Sequence, residues 1–194
     1  MARPKSITDE AILKEAYALI MEQGPGKLTF EGLGARVGLV PAALVKRFKN
    51  KQQLVMQIDR YALSQTSRQS QEALEAAKDP IEAIIIQFVT ELQFASSIER
   101  FANGQEFLIY DLRQKELYDN YQESFAERHK RIVEFLQSAE SAGLVAGIVS
   151  YDQLARHLEM VAHGAGQVWA MTQEGPIEQY IAEHVQFALR PFVV

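Results

Sequence analysis

The sequence predicts an all-α protein, in which an N-terminal three-helix module precedes a larger helical domain. Apolar residues recur at helical spacing through most of the 194 residues, and Gly and Pro separate these segments. Strand-like alternation bounded by turns is lacking. With 47% hydrophobic residues, the chain can bury a substantial core, as one domain or as a small domain joined to a larger one.

The first predicted helix begins near Ser6 or Thr8, either of which can cap it, and ends at the Gly24-Pro25-Gly26 turn. Its apolar stripe consists of Ile12, Leu13, Ala16, Leu19 and Ile20. The helix provides a scaffold for the shorter helices that follow, because a helix of about eight residues is too short to be stable alone in water.

Residues 29–51 predict two short helices joined by a tight turn. Thr29 can cap the first helix, Gly38 stands where a helix commonly ends with positive φ, and Pro41 fits the first turn of the second helix. Leu44 and Phe48 share the buried face of that second helix. This is the layout of a helix-turn-helix, whose second helix enters the major groove of DNA. Its outward positions are Ala42, Ala43, Val45 and Lys46.

These residues resemble the TetR family of transcriptional regulators. The matching positions are Ile12, Leu13, Ala16, Gly24, Thr29, Leu33, Gly38, Leu44, Phe48, Lys51 and Leu54. The resemblance implies a DNA-binding domain over residues 1–51 and a helical ligand-binding and dimerisation domain over residues 52–194. It also implies a homodimer whose operator binding responds to a small molecule.

The second helix of the motif departs from the family pattern. Val40 replaces the usual hydroxyl residue and cannot cap, while Ala42, Ala43 and Val45 replace the Gly, Thr and Tyr that the family favours. Apolar side chains can contact thymine methyl groups, and Lys46 is placed to donate to guanine. The predicted DNA contacts are Arg3, Thr29, Pro41, Ala42, Ala43, Val45, Lys46, Arg47, Lys49 and Lys51.

Charge is unevenly distributed along the chain. Through Lys51, nine basic residues outnumber five acidic ones, a net charge of +4, whereas the remainder has eleven basic and twenty acidic residues, a net charge of −9. A basic head suffices for docking on phosphates, and an acidic body argues against nonspecific coating of nucleic acid. Arg3 belongs either to a basic arm that contacts DNA or to an ordinary solvated terminus.

Beyond Lys51 the pattern is helical almost throughout. The segment that begins at Pro80 is apolar on nearly every side, which predicts a central, buried helix. The predicted helices are Leu54 to about Ala77, a helix from Pro80, Ile98 to Leu112 with an interruption near Asn103-Gly104, about Gln114 to Gly143, Tyr151 to about Thr172, and a last helix through Arg190.

The last two helices carry apolar stripes of two kinds. Small residues recur every four positions in the first of them, which lets another helix approach closely. The resemblance implies that both helices pair with their copies in a dimer; the alternative is that both stripes face the chain's own core. The predicted interface residues are Ala162, Gly166, Ala170, Ile177, Ile181 and Val185.

A cavity for a small molecule is implied by the resemblance. A mostly apolar or aromatic effector suits the available side chains, although a place in the core is the alternative for each aromatic residue. An effector that favours a conformation with misplaced recognition helices weakens DNA binding through its differential affinity. The candidate pocket residues are Phe88, Glu91, Phe107, Tyr110, Tyr121, Phe125 and Trp169.

Catalytic and metal-binding patterns are lacking. Glu159 and His163 share a helix face, but one Glu and one His form neither a zinc site nor a triad. No HExxH, Cys cluster, glycine-rich phosphate loop or G-x-S-x-G motif occurs. His163 is predicted in a pocket or interface, and His129 and His184 among surface charges. We therefore expect no enzyme activity, metal or cofactor.

The chain has no Cys, no signal-like N-terminal segment and no uninterrupted apolar run long enough to span a membrane, which predicts a cytoplasmic protein.

We interpret the chain as a homodimeric repressor that binds double-stranded operator DNA and is released by a small-molecule effector. The alternative is a helical protein-binding adaptor that has lost DNA affinity. The effector, operator, regulated genes and sign of control are not encoded in recognisable form.

Overall fold

The computed structural model describes residues 7–92 and 94–194. Within these ranges it contains nine α-helices and no strand, which confirms the all-α prediction. None of these helices is both long enough and apolar enough to cross a membrane. The helices are α1 (Asp9–Gln23), α2 (Phe30–Val37), α3 (Pro41–Phe48), α4 (Lys51–Leu74), α5 (Pro80–Leu92), α6 (Ile98–Leu112), α7 (Lys115–Ser141), α8 (Tyr151–Thr172) and α9 (Ile177–Leu189).

The described residues form two compact units. The first contains the residues up to Gln65 together with Glu99–Asn120, and the second contains Thr66–Ile98 and Tyr121–Val194. Helices α1, α2, α3 and α6 therefore belong to the first unit, and α5, α8 and α9 to the second. The domain boundary predicted between residues 51 and 52 divides the chain by function, whereas these two units are defined by packing. That boundary remains a prediction.

Local capping determines where the first three helices begin and end. The Thr8 hydroxyl accepts a hydrogen bond from the Ala11 N–H at 3.2 Å and caps α1. Gly38 ends α2 in the left-handed region, with φ of 71°, as its position predicts. Pro41 opens α3, and Val40 before it provides no side-chain cap. The third helix therefore starts without the stabilisation that a hydroxyl or carboxylate would supply.

An ion-pair clamp holds α2 against α1 in the first unit. Arg36 on α2 donates from Nε to Glu15 at 2.6 Å and from both Nη atoms to Glu22 at 2.6 and 2.9 Å. The hydrogen bonds from Arg36 lower the pKa of Glu22. Because the bidentate geometry is specific in direction as well as distance, this clamp fixes the orientation of α2 on α1 more closely than apolar packing alone would.

Gly34 permits the close turn between α2 and α3. A Cβ at this position would lie 2.5 Å from the carbonyl oxygen of Leu39. The N–H groups of Gly38 and Leu39 both donate to the Gly34 carbonyl, so the turn is held by its own backbone and has little room to move. Position 34 therefore requires a residue without a side chain.

Helix α6 is continuous, so the predicted interruption near Asn103-Gly104 is wrong. The Asn103 side chain donates from Nδ2 to the carbonyl of Met21 at the end of α1, at 2.9 Å. Asn disfavours helix interiors mainly because its amide competes for nearby backbone groups. Here the amide has a partner on another helix of the same unit, and the competition is absent.

A buried pair of carboxyl groups lies in the first unit, between Asp59 of α4 and Asp111 of α6. Each residue is 5% exposed. Burial, followed by the nearby Asp59 carboxylate, raises the pKa of Asp111 to about 8. Burial also raises the pKa of Asp59 to about 6, although the nearby side-chain amide of Asn120 on α7 opposes the rise. The two groups therefore share one proton near neutral pH.

In the second unit, α9 packs against α8 and α5. Ile84 and Phe88 of α5 are almost fully buried, as the apolar character of that helix predicts. The Trp169 indole of α8 donates from Nε1 to the Gly175 carbonyl at 2.9 Å and ties the end of α8 to the loop before α9.

We predict that Gly34→Ala destabilises the first unit by about 1–3 kcal/mol, because the new methyl group must displace the Leu39 carbonyl. Denaturant unfolding measures the change. Gly26→Ala is the matched control, since a Cβ there lies no closer than 3.9 Å to another group. Equal midpoints for the two variants would contradict the role assigned to Gly34.

We also predict that stability falls as pH rises from about 5 to about 8. Asp111 has a native pKa of about 8 and a reference value of 3.8, so in this window the native state holds a proton that the unfolded state has lost. Asp111 contributes at most about 1.4 kcal/mol per pH unit to this slope, and Asp59, with a native pKa of about 6, adds to the slope below about pH 6. Asp111→Asn, which needs no proton to remain neutral, flattens this dependence.

Denaturant unfolding at several pH values tests the assignment. Asp119→Asn is the matched control, because Asp119 is an exposed carboxylate on α7 that pairs with Lys115. A pH dependence of the Asp111 variant that matches that of the control would contradict the shared proton.

Candidate functional site

Helix α3 presents a mixed apolar and basic face to solvent. Leu44 and Phe48 are buried beneath it, with at most 1% of their surface exposed. Ala42 and Lys46 are exposed on the opposite side, and Ala43 is half-buried. Val45 keeps 43% of its surface exposed and adds an apolar side chain to this face.

The connection between α3 and α4 contains only Lys49 and Asn50. Lys49 has φ of 64° and ψ of −64°, and the N–H of Asn50 donates to the Phe48 carbonyl across it at 2.8 Å. This is a strained γ-turn in the region that favours glycine. Asn50 then caps α4 by accepting from the Gln53 N–H at 2.8 Å. The connection is therefore fully hydrogen-bonded at both ends.

Three lysines surround the exposed end of α3. Lys46, Lys49 and Lys51 are all exposed, and within the described ranges none of them forms an ion pair. Their charge is therefore available to an external anion.

Arg47 has a different environment from these lysines. It donates from Nη1 to the Ile7 carbonyl at 2.8 Å and to the Asp9 carboxylate at 3.1 Å. It holds the beginning of α1 against α3, so its charge is already used within the chain. Arg3, the remaining predicted basic contact, lies outside the described residues.

Thr29 and Lys51 line one shallow cleft, where α2 and α4 both begin. The Thr29 hydroxyl accepts from the Gly32 N–H at 3.0 Å and caps α2, as predicted. Helix beginnings carry partial positive charge, which adds to the charge of Lys51. Pro41 is half-buried at the first position of α3. Thr29, Pro41 and Lys51 therefore lie beside the exposed face of α3, whereas Lys46 lies on that face.

The candidate pocket residues are distributed over both units. Phe107 and Tyr110 belong to α6 of the first unit, where Phe107 is buried and Tyr110 half-buried. In the second unit, Phe88 and Trp169 are buried in the core. Tyr121 and Phe125 on α7 stack with ring centroids 6.4 Å apart and are both half-buried.

A cluster of charged side chains surrounds Phe125 in the second unit. Glu91 of α5 accepts from Arg128 Nη1 of α7 at 2.7 Å. The guanidinium groups of Arg128 and Arg156 lie 4.5 and 5.3 Å from the Phe125 ring centre. Burial raises the pKa of Glu91, and the charge of Arg128 opposes the rise. Glu91, a candidate pocket residue, is therefore already paired with a cation of the same chain, Arg128.

The same cluster extends through Glu159 of α8, which is 2% exposed. Its two carboxylate oxygens lie 3.2 Å from His129 Nδ1 and 3.0 Å from Arg156 Nη1. The second ring nitrogen of His129 lies 2.8 Å from Asp152. The prediction that His129 lies among surface charges is wrong, because its side chain is only 12% exposed. The i, i+4 spacing of Glu159 and His163 did not indicate this cluster, because His163 Nδ1 lies 2.8 Å from the backbone carbonyl oxygen of Glu159, while the carboxylate pairs with other residues.

The structure does not leave the predicted interface stripes available to a partner. Ala162, Ile177, Ile181 and Val185 are at most 2% exposed within the single chain. Gly166 is also buried, and Ala170 is half-buried. The five buried residues therefore face the chain's own core, which is the alternative that the sequence pattern left open. Their spacing suits close helix packing, and α8 and α9 use it against each other and against α5.

A different stripe on the same two helices is exposed. On α8, Met160 and Met171 are 61% and 82% exposed, and Val168 lies between them on the same face. On α9, Phe187 is 70% exposed, and it follows Tyr180 and His184 at helical spacing. Large apolar side chains that are exposed together on neighbouring elements mark a contact surface more often than a solvated one.

Metal-ligand geometry is not found in the described part of the chain: no three His, Cys, Asp or Glu side chains there are arranged to hold an ion. The carboxylates of the charged cluster are paired with Arg and His, which occupy the positions that a cation would take.

Residues 12–58 match the model of a family described as bacterial regulatory proteins of the tetR family. No match was found among curated protein sequences. Several solved structures are similar over nearly the whole chain. The TetR-family regulator PfmR from Thermus thermophilus has 18% identity and a TM-score of 0.68, with 92% of this chain and 97% of that chain covered.

Two further structures have the same fold. The regulator FadR from Bacillus subtilis, in complex with stearoyl-CoA, has 15% identity and a TM-score of 0.70 over 92% of this chain and 96% of that chain. The ketosteroid regulator KstR2 of Mycobacterium tuberculosis has 14% identity and a TM-score of 0.66 over the full length of both chains. Residues 12–58, which include the helix-turn-helix, therefore match the TetR family model, and the chain as a whole has the fold seen in structures of TetR-family transcriptional regulators.

Proposed function

We propose that the chain is a homodimeric repressor that binds a specific DNA operator through α3 and releases it when a small molecule binds the second unit. The observation that carries this proposal is the exposed face of α3, where Ala42, Val45 and Lys46 project from a helix that buried Leu44 and Phe48 hold in place.

The chemistry of this face suits the major groove. Ala42, Ala43 and Val45 can contact thymine methyl groups, and Lys46 can donate to guanine O6 and N7. Lys49 and Lys51 lie at the far end of the helix and can neutralise phosphates, which makes binding sensitive to salt.

We propose a supporting role for Thr29 and Pro41, as the residues that start α2 and α3, and for Arg47, as the residue that orients α1.

Homodimerisation is proposed through the exposed stripe of α8 and α9 rather than through the buried one. A twofold axis through that stripe would make it self-complementary, as a closed dimer requires. Two copies of α3 about one DNA turn apart, ~34–36 Å, would then read a palindrome.

Selection of DNA from a random pool by the purified protein, at two salt concentrations, tests the proposed function first. An enriched palindrome with half-sites about one turn apart is the expected result. Absence of enrichment at both salt concentrations would contradict DNA recognition and favour the protein-binding adaptor. Loss of the selected DNA on addition of a bacterial small-molecule extract would support effector control, and retention would contradict it.

We predict that Lys46→Ala changes sequence preference at one position of each half-site, at a cost of about 1–3 kcal/mol, because Lys46 is placed to contact a base. Lys51→Ala weakens binding to all sequences alike and reduces the salt slope by about 1 per protomer. Binding titrations against the selected palindrome and single-base variants, at several salt concentrations, measure both effects. Equal, sequence-independent losses from the two variants would contradict these separate roles.

We predict that Phe187→Glu weakens dimerisation at least about 100-fold, because a charge would replace a large apolar side chain at a desolvated contact. Sedimentation analysis over a concentration series measures the change. Val149→Glu is the matched control, since Val149 is fully exposed in the loop before α8 and lies outside the stripe. If Phe187→Glu left the dimer intact, or Val149→Glu disrupted it equally, the proposed interface would be wrong.

A further inference from the structure

The charged cluster of the second unit has an excess of unused donors. Every side-chain oxygen of Glu91 and Glu159 has a partner: Glu91 accepts from Gln87 and Arg128, and Glu159 from His129 and Arg156. The Gln87 oxygen accepts from Arg131 Nε at 3.3 Å. An additional molecule that bound this cluster by hydrogen bonds would find no free carboxylate oxygen.

The unused donors belong to Arg128. This residue is 9% exposed, and its Nη1 binds Glu91, whereas Nε and Nη2 are buried and have no protein acceptor at hydrogen-bond distance. The Tyr121 hydroxyl lies near this guanidinium: burial raises the pKa of Tyr121, and Arg128 opposes the rise. A buried guanidinium with two unsatisfied N–H groups is costly, because each group has lost its water. Nε and Nη2 form one edge of the guanidinium plane. That edge is the fork that binds two oxygens of a planar carboxylate side by side.

We infer that the free edge of Arg128 binds the carboxylate of a small monocarboxylic acid with an apolar body, and that such an acid is the effector. As a statement about the effector, this inference rests on the proposed function. It replaces the expectation of a simply apolar or aromatic ligand with a defined polar anchor.

The surroundings favour one negative charge. Arg128 carries one positive charge and already binds the Glu91 carboxylate through Nη1, so its free edge tolerates little additional negative charge. A dianionic phosphate would add a second negative charge next to Glu91, which already binds the other side of the Arg128 guanidinium. The electrostatics of this cluster therefore favour a carboxylate over a phosphate.

The neighbouring rings favour an apolar body. Phe125 lies 4.5 Å from the Arg128 guanidinium, and Tyr121 stacks beside Phe125. An acid with an alkyl or phenyl tail that placed its carboxylate on Arg128 would bring its tail beside these rings of α7.

Calorimetry and thermal shift on the purified, DNA-free protein test the inference. The probes are octanoate and 4-phenylbutyrate, each compared with its primary amide, together with inorganic phosphate. We expect at least one acid to bind about 10- to 100-fold more tightly than its amide, the range for charge-assisted hydrogen bonds. Binding of acid and amide with equal affinity, no binding of either acid, or equal binding of phosphate would overturn the inference.

Variants then locate the site. Arg128→Lys keeps the positive charge beside Glu91 but lacks the fork, and we expect it to lose the preference for acid over amide. Arg156→Gln is the matched control: it removes a guanidinium next to the same Phe125 ring, but one whose Nη1 already binds Glu159. We expect it to keep that preference. Equal losses in the two variants would indicate general attraction by positive charge and would overturn the assignment to Arg128. Because the acid and amide comparison uses the unaltered protein, it remains decisive even if Arg128→Lys fails to fold.

A DNA-release assay with the same acids separates this inference from the proposed function. If an acid binds through Arg128 and leaves the protein on its operator, the binding site is supported and its role as the effector site is wrong. If the protein binds its operator specifically and neither acid binds, the DNA-binding function stands and the carboxylate site is wrong.

Discussion

Everything that α3 presents to solvent depends on the burial of Leu44 and Phe48 beneath it. The helix has eight residues and no side-chain cap at Val40, so it would not persist alone in water. Burying two large apolar side chains contributes about 1.5–3 kcal/mol each, which exceeds the roughly 0.5–2 kcal/mol lost with the missing cap. Tertiary packing can therefore support a helix whose outward residues are chosen for contact rather than for helix stability.

Features that depend on local chemistry were predictable from the sequence. Thr29 and Gly38 act on backbone groups within a few residues, and their capping roles were correctly predicted. The internal roles of Arg47 and Arg128 were not predicted, because their partners lie on other helices. In the sequence alone, a paired charged residue on an amphipathic helix cannot be distinguished from a solvated one. The stripe through Ala162 shows the same limit: spacing identifies residues that share a face, but not whether the chain itself or a copy covers it.

The second unit combines apolar packing with a directional polar network. Helices α8 and α9 pack against each other and bury side chains such as Leu158 and Ile181, whose apolar attraction has little preference for angle. The bonds that join Glu91 to Arg128, and Glu159 to His129, require defined distances and orientations. A buried pair adds little net stability but strongly disfavours arrangements that break it, so the cluster restricts α5, α7 and α8 to few relative positions.

The connection through Lys49 and Asn50 affects the entropy of binding. A flexible linker at the end of α3 would have to be ordered on docking, at about 1–2 kcal/mol for each backbone residue. Here the hydrogen bonds across both residues already order the segment in the free protein. The strain at Lys49 is therefore incurred during folding, and a binding partner meets a surface whose connecting backbone has no further freedom to lose.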